Sequence, residues 1–121
     1  MHIYESAQDY LERILMLTKD NKNVRSIDIA KDMGVTKQSV HRAIKNLKEN
    51  EYIEVNEKGY ISLSEKGKVI AEKFYNRHLI LSEFFKSIGV SEDTALKDAC
   101  KVEHDLSDET FEAIKKLINN K

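Results

Sequence analysis

Apolar residues recur along this chain at two spacings, and each change of spacing marks a new element. In "SAQDYLERILML" Ala7, Tyr10, Leu11, Ile14 and Leu15 fall three and four apart, on one face of a helix. Ser6 stands where an N-cap belongs, with Asp9 three residues on in the manner of a capping box. The segment "SIDIAKDMGVTKQSVHRAIKNLKENEYI" shows the helical spacing twice, around a glycine. Ser26 is placed to cap a short helix carrying Ile27, Ile29, Ala30 and Met33, and Gly34 supplies a tight turn. Thr36 is placed to cap a second helix with Val40, Ile44 and Leu47 facing inward. Two short helices joined this way predict a helix-turn-helix.

The spacing then drops to two. "YIEVNEKGYISLS" is a pair of β-branched and aromatic runs around Asn56-Glu57-Lys58-Gly59, which predicts a hairpin with glycine at the left-handed position. A helix-turn-helix followed by a hairpin is a winged helix. From Ser64 the helical period returns, with Ile70, Phe74, Leu81, Phe85 and Ile88 on one face and Gly89 as the C-cap. A further helix is expected from Ser91 through Leu96, Ala99 and Val102 to His104, and Ser107 caps a last one carrying Phe111, Ile114, Leu117 and Ile118. The predicted fold class is mostly α, with a winged helix-turn-helix over residues 1–64 and a helical domain over residues 65–121.

Composition narrows the classes without naming one. Of the 121 residues 40% are apolar, enough to build a core, and proline is absent, so no disordered linker is evident. No run reaches transmembrane length and the first ten residues lack a signal-peptide core, so no membrane association is expected. One cysteine cannot form an internal disulfide, which fits the reducing cytoplasm. The formal charge of −1 is uninformative, so its distribution carries the argument. From Lys37 to Lys48 the charged residues are Lys37, Arg42, Lys45 and Lys48, with no acid among them. The face opposite Val40, Ile44 and Leu47 presents Lys37, Gln38, His41, Arg42 and Lys45. Arg and Gln pair with base edges and Lys meets phosphate. With Thr36 and Ser39 at the helix start, these residues form the expected contact set for double-stranded DNA. A solvated basic face is the plainer reading of the charges alone, and it gives way to the helix-turn-helix and wing around them. The wing adds little charge, since Glu54 and Glu57 offset Lys58.

A second chemistry stands in "DACKVEHDLS". Offsets of three and four set Cys100, Glu103 and His104 beside one another on a helix. Thiolate, carboxylate and imidazole form half a coordination shell for a divalent transition metal. Each residue also has an ordinary explanation: a small core cysteine, and two surface residues. Asp9 and Glu12 form another ligand-like pair in an acidic stripe that begins at Glu5, although a helix N-terminus favours acids there in any case. His78 shares a face with Phe74, Leu81 and Phe85, where a core histidine is the usual occupant.

Taken together, "ESAQDYLERILML", the helix-turn-helix, "LSEKGKVIAEKFYNRHLILSEFF", "IGV" and "DACKVEHDLS" resemble the diphtheria toxin repressor and manganese transport regulator family, from about residue 5 to the C-terminus. The resemblance implies a cytoplasmic, dimeric, metal-activated transcription repressor, with metal binding and dimerisation assigned to residues 65–121. It also implies that metal sits between the first helix and the dimerisation helices, on Asp9, Glu12, His78, Cys100, Glu103 and His104. Asp9 and Glu12 match the manganese-type pattern, whereas Cys100 matches the iron-type pattern, in which manganese regulators carry glutamate. Ser82 and Leu96 stand where an ancillary iron-type site needs an acid and a histidine, so neither that site nor the SH3-like domain of the long iron-type members is expected. The expected cofactor is Fe²⁺, with Mn²⁺ close behind and Co²⁺, Ni²⁺ or Zn²⁺ as substitutes in vitro.

Two other functions compete. One is a metal-independent winged-helix regulator answering an organic ligand or oxidation of Cys100. The other is an enzyme using Cys100 activated by His104, which lacks an accompanying glycine-rich oxyanion or phosphate loop and is not expected. Phe84, Phe85, Ile88, Phe111, Ile114, Leu117 and Ile118 exceed what so small a helical unit buries alone. A two-fold homodimer through this region is therefore predicted. Sedimentation at micromolar concentration, with and without metal, is expected to show a dimer, and a monomer in both conditions refutes it.

Overall fold

The computed structural model describes residues 5–20 and 23–120, without the side chain of Glu5. Residues 1–4 and Lys121, at the ends of the two expected domains, and the Glu5 end of the acidic stripe lie outside the described residues. The order of elements is α1 (Glu5–Asp20), α2 (Ser26–Met33), α3 (Lys37–Glu49), β1 (Ile53–Val55), β2 (Ile61–Leu63), α4 (Glu65–Ser87), α5 (Glu92–Val102) and α6 (Asp108–Asn119). The protein is mostly helical, with a winged helix-turn-helix in its N-terminal half. None of the described helices is long and apolar enough to cross a membrane. The chain forms two compact units, Met1–Glu72 and Lys73–Lys121, which divide within α4.

In the first unit, Leu11 and Ile14 of α1, Ile29 of α2 and Val40 of α3 are wholly buried, and Ile44 and Leu47 join them. The turn between α2 and α3 follows from two local choices. Gly34 takes a left-handed φ of 67°, which a side chain disfavours, and its N–H reaches the Ala30 carbonyl. Thr36 then caps α3, its Oγ1 accepting from the Ser39 N–H at 3.1 Å. The N-terminal caps of α1 and α2 differ from the pattern read along the chain. Glu5 is already helical, so Ser6 lies inside α1 and does not cap it. Ser26 is the first residue of α2, and Arg25 takes the cap position because the Asp28 carboxylate accepts from its N–H at 2.9 Å.

The wing is an antiparallel pair with Ile53 opposite Leu63 and Val55 opposite Ile61. Asn56 closes its turn, its Oδ1 accepting from the N–H groups of Lys58 and Tyr60, and Gly59 supplies the positive φ of 82°. The Ile61 N–H donates to the Val24 carbonyl at 2.7 Å, which ties the lead into α2 alongside β2.

Where α3 passes into the wing and the wing into α4, the backbone is tied at close quarters. Tyr52 N–H donates to Leu47 O at 2.9 Å, and Ser64 N–H donates to Tyr52 O at 3.0 Å. The Ser64 hydroxyl donates to Glu51 O at 2.7 Å and accepts from the Gly67 N–H at 3.1 Å, capping the start of α4. Lys66 lays its ammonium 4.4 Å above the Tyr52 ring and donates to Asn50 O. Gly67 is the residue that lets these chains approach, because a Cβ there would lie 2.0 Å from the Tyr52 carbonyl oxygen.

In the second unit Phe74 and Leu81 of α4, Ala95 and Ala99 of α5 and Phe111 of α6 are buried. Three positions expected on apolar faces are outside: Ile88, just past the end of α4, is 64% exposed, Leu117 of α6 is 57% exposed and Leu96 is 40% exposed. Helix α5 also ends earlier than its periodicity suggests, at Val102, so His104 lies in the turn beyond it.

The obstacle at Gly67 is backbone, which cannot swing aside as a side chain can. Gly67→Ala is expected to destabilise the folded chain by about 1–3 kcal/mol, toward the upper end. A lowered midpoint in urea unfolding with an unchanged slope checks this; an unchanged midpoint refutes it.

Candidate functional site

The second unit is built around a buried carboxylate. Glu103 caps the C-terminus of α5 with helical φ and ψ, its N–H donating to Ala99 O at 3.0 Å. Its side chain has no exposed surface. Oε2 lies 3.3 Å from Nδ1 of His78, on α4, and Oε1 lies 3.3 Å from Nε2 of His104. Both rings are held by the fold. The His104 side chain is 1% exposed, with its ring centroid 4.9 Å from that of buried Phe74. His78 is 16% exposed at its side chain, and its Nδ1 is buried without a hydrogen bond.

An imidazole nitrogen and a carboxylate oxygen bound to one first-row divalent ion each sit about 2.0–2.2 Å from it. At near-right angles such donors are separated by about 3 Å. Both histidine–carboxylate separations approach that spacing, and an un-hydrogen-bonded imidazole nitrogen directed at a buried carboxylate is donor chemistry that suits a divalent cation. Cys100 is half-buried on the last turns of α5, three residues before Glu103, and forms no disulfide. The structure thus brings His78, Glu103 and His104 together, with Cys100 one helical turn back along α5.

In the first unit Asp9 and Glu12 lie one turn apart on α1, Asp9 partly exposed and Glu12 only 6% exposed. A carboxylate that deep is costly without compensating charge, so Glu12 is not the solvated acid of an ordinary helix face. At the ancillary position, the Ser82 hydroxyl donates to the His78 carbonyl of its own helix at 2.7 Å, and Leu96 offers no ligand atom.

The turn that carries Glu103 and His104 departs from a helical stripe because of a residue that periodicity does not single out. Arg77, 3% exposed, donates from Nη1 to the carbonyls of Glu103 at 2.9 Å and Leu106 at 2.8 Å. Its Nη2 meets Asp108 in the first turn of α6. The guanidinium lies 5.7 Å from the Phe74 ring and 5.2 Å from the Phe111 ring. The one signal in the sequence is its register: Arg77 falls three after Phe74 and four before Leu81, an inward position where arginine is out of place.

On the first unit, Thr36, Lys37, Gln38, His41, Arg42 and Lys45 are all exposed, and Ser39 is half-exposed. Thr36 and Ser39 are engaged with each other, hydroxyl to hydroxyl at 2.9 Å, as part of the cap. Ser26, Ile27, Lys37, Gln38, His41 and Arg42 line an open groove of about 700 Å³ along the outer side of α2 and α3.

Residues 2–61 match the family model described as iron dependent repressor, N-terminal DNA binding domain, and residues 64–121 match iron dependent repressor, metal binding and dimerisation domain. Over 113 residues the chain is 32% identical to the HTH-type transcriptional regulator MntR of Geobacillus kaustophilus, covering 93% of this chain and 80% of that protein. Among solved structures, a manganese-dependent transcriptional repressor in complex with manganese superposes with a TM-score of 0.86 at 25% identity. The manganese regulator SloR superposes with a TM-score of 0.83 at 24% identity and shares the fold. The chain spans about half the length of these two structures, 52% and 53%, while they cover 93% of it. With both of its halves matched in order and a relative above 30% identity along nearly its whole length, the chain belongs to the iron-dependent repressor family.

Proposed function

We propose that this protein is a cytoplasmic, homodimeric transcription repressor that binds its DNA operator when Fe²⁺ or Mn²⁺ is bound, and so controls metal homeostasis. The observation that carries this reading is the buried Glu103 carboxylate, 3.3 Å from an imidazole nitrogen on either side. The proposed ligands are Asp9 and Glu12 from α1, His78 from α4, and Cys100, Glu103 and His104 from α5 and the turn after it. The proposed division of labour is DNA binding by residues 1–64 and metal binding and dimerisation by residues 65–121. A regulator's role, and not an enzyme's, also accounts for Cys100 and His104 without a nucleophile.

When bound at this proposed ligand set, a divalent cation would offset the negative charge of Asp9, Glu12 and Glu103. The chain's own residues supply the linkage. Asp9 and Glu12 stand on the helix that packs against α2, α3 and the wing, so the state in which they serve as ligands fixes how the DNA-binding unit is presented. If that state also binds DNA more tightly, metal shifts the population toward it, and DNA tightens metal to the same degree. The exposed face of α3 then meets the operator, Gln38 and Arg42 at base edges and Lys37 and Lys45 at phosphates, with His41 between them. Relatives named for manganese and the oxygen ligands favour Mn²⁺, while the Cys100 thiolate favours Fe²⁺. Anaerobic operator binding with Fe²⁺, Mn²⁺, Co²⁺ and Zn²⁺ in turn tests the proposal, and operator binding that ignores all four overturns it in favour of a metal-independent regulator.

Exchanging sulfur for a hard carboxylate separates the metals. Cys100→Glu is expected to stay folded and to bind Mn²⁺ better relative to Fe²⁺, Co²⁺ and Zn²⁺, as read by metal titration beside thermal melts. A well-folded variant with unchanged preference removes Cys100 from the ligand set. If Cys100 were merely core, a buried glutamate would instead cost several kcal/mol.

On the DNA side, Arg42→Ala and Gln38→Ala are expected to weaken operator binding by about 1–3 kcal/mol each while sparing random DNA. Lys45→Ala should flatten the salt dependence with little change in sequence preference. Equal losses on operator and random DNA for all three variants exclude direct readout by α3.

A further inference from the structure

We infer that Arg77 is a positioning residue for the metal site: its guanidinium pins the turn that carries Glu103 and His104 so that their donor atoms are in place before metal arrives. The inference rests on the metal reading proposed above.

Three observations converge on this role. The first is where the hydrogen bonds go. One nitrogen, Nη1, takes the carbonyls of both Glu103 and Leu106, at 2.9 and 2.8 Å. These lie at the end of α5 and just before the Ser107 cap of α6, so the two bonds bracket the turn that bears His104. Carbonyls at a helix C-terminus lack intrahelical partners, and an arginine is the side chain best shaped to take two at once.

The second observation is the environment. At 3% exposure, between the rings of Phe74 and Phe111, the guanidinium has little room to turn, and Phe74 is also the ring packed against His104. Asp108 completes the arrangement from the first turn of α6, and Lys73 adds a second cation 3.6 Å from the same carboxylate. A buried arginine retained so close to a metal site is an expensive way to fill space, because an apolar residue fits a core without the desolvation cost.

Adjacency is the third. Arg77 and His78 are consecutive on α4, and both address Glu103, one at its carbonyl and the other at its carboxylate. A single turn of α4 therefore offers one ligand and fixes the backbone that carries two more. Such groups around a ligand set orient the donors, and losing one typically weakens metal binding about 10- to 100-fold.

The test is Mn²⁺ titration of the full chain, with Co²⁺ spectra of the same variants and thermal melts without metal. Arg77→Lys keeps the charge but loses the planar fork that holds the two carbonyls through Nη1 and Asp108 through Nη2 together. It is expected to bind Mn²⁺ about 10- to 100-fold more weakly while still melting cooperatively without metal. The Co²⁺ d–d bands should shift, whereas the thiolate-to-Co²⁺ charge-transfer band from Cys100, on α5 ahead of the pinned turn, should persist. Asp108→Asn leaves both carbonyl bonds and removes the charge that holds the outer end of the guanidinium, along with the exposed pair to Lys73. It is expected to lose less than Arg77→Lys, about three- to tenfold, and it carries the test if Arg77→Lys does not fold. Mn²⁺ affinity within twofold of wild type in both variants, or in Asp108→Asn alone where Arg77→Lys is unfolded, overturns the role of Arg77 and leaves the metal site standing. Failure of the wild-type chain to bind Mn²⁺ or Co²⁺ overturns the metal reading and this inference with it.

Discussion

A carboxylate with no exposed surface is the constraint on which the C-terminal unit turns. Removing an ionised acid from water costs several kcal/mol even after the surroundings relax, and the cost stands unless positive charge is supplied. Glu103 has an imidazole nitrogen on each side, one from α4 and one from its own neighbour in sequence, and the charge that answers the demand is that of the proposed divalent cation. Around this arrangement the other features fall into order. Helix α5 stops at Val102, the turn folds back to bury His104 against Phe74, and α4 presents His78 and Arg77 at the same level. Glu12, nearly as deep in the N-terminal unit, poses the same electrostatic demand on a different helix.

The two units reach rigidity by different means. At the junction of α3, wing and α4 the ties are short-range hydrogen bonds to backbone groups, two of them from backbone and the others through Ser64 and Lys66, drawn close by the absence of a side chain at Gly67. The turn between α5 and α6 has few backbone partners of its own and is fixed by one long side chain arriving from another helix. The first kind of junction depends on a glycine. The second depends on a charge, a planar fork and two aromatic walls.

This difference explains what the sequence makes legible. The helix-turn-helix and wing are visible because each boundary is set locally: Gly34 by its φ, Thr36 by a bond to Ser39 three residues on, and Asn56 by bonds within its own turn. Asp9 and Glu12, and Cys100, Glu103 and His104, stand at ligand-like spacings that each admit an ordinary reading, and His78 reads as a core histidine; the family resemblance is what gathers the six as a proposed set. The end of α5 is another matter. "KVEHDLS" has no glycine or proline to stop a helix, and the group that captures its carbonyl stands 26 residues away, beyond any local pattern. Arg77 itself hides because a charged residue on an amphipathic helix is ordinarily read as outward. The caps of α1 and α2 fail by a smaller margin, since Asp28 selects Arg25 over Ser26 by a single residue.

The near-balance of charge on this chain has a consequence of its own. With 20 basic and 21 acidic residues, the molecule as a whole exerts little attraction on a polyanion from afar. The cations of α3 are concentrated on one exposed face, and at physiological ionic strength their influence fades within about 8 Å. Such a protein is drawn to nucleic acid only after it has turned the right side toward it.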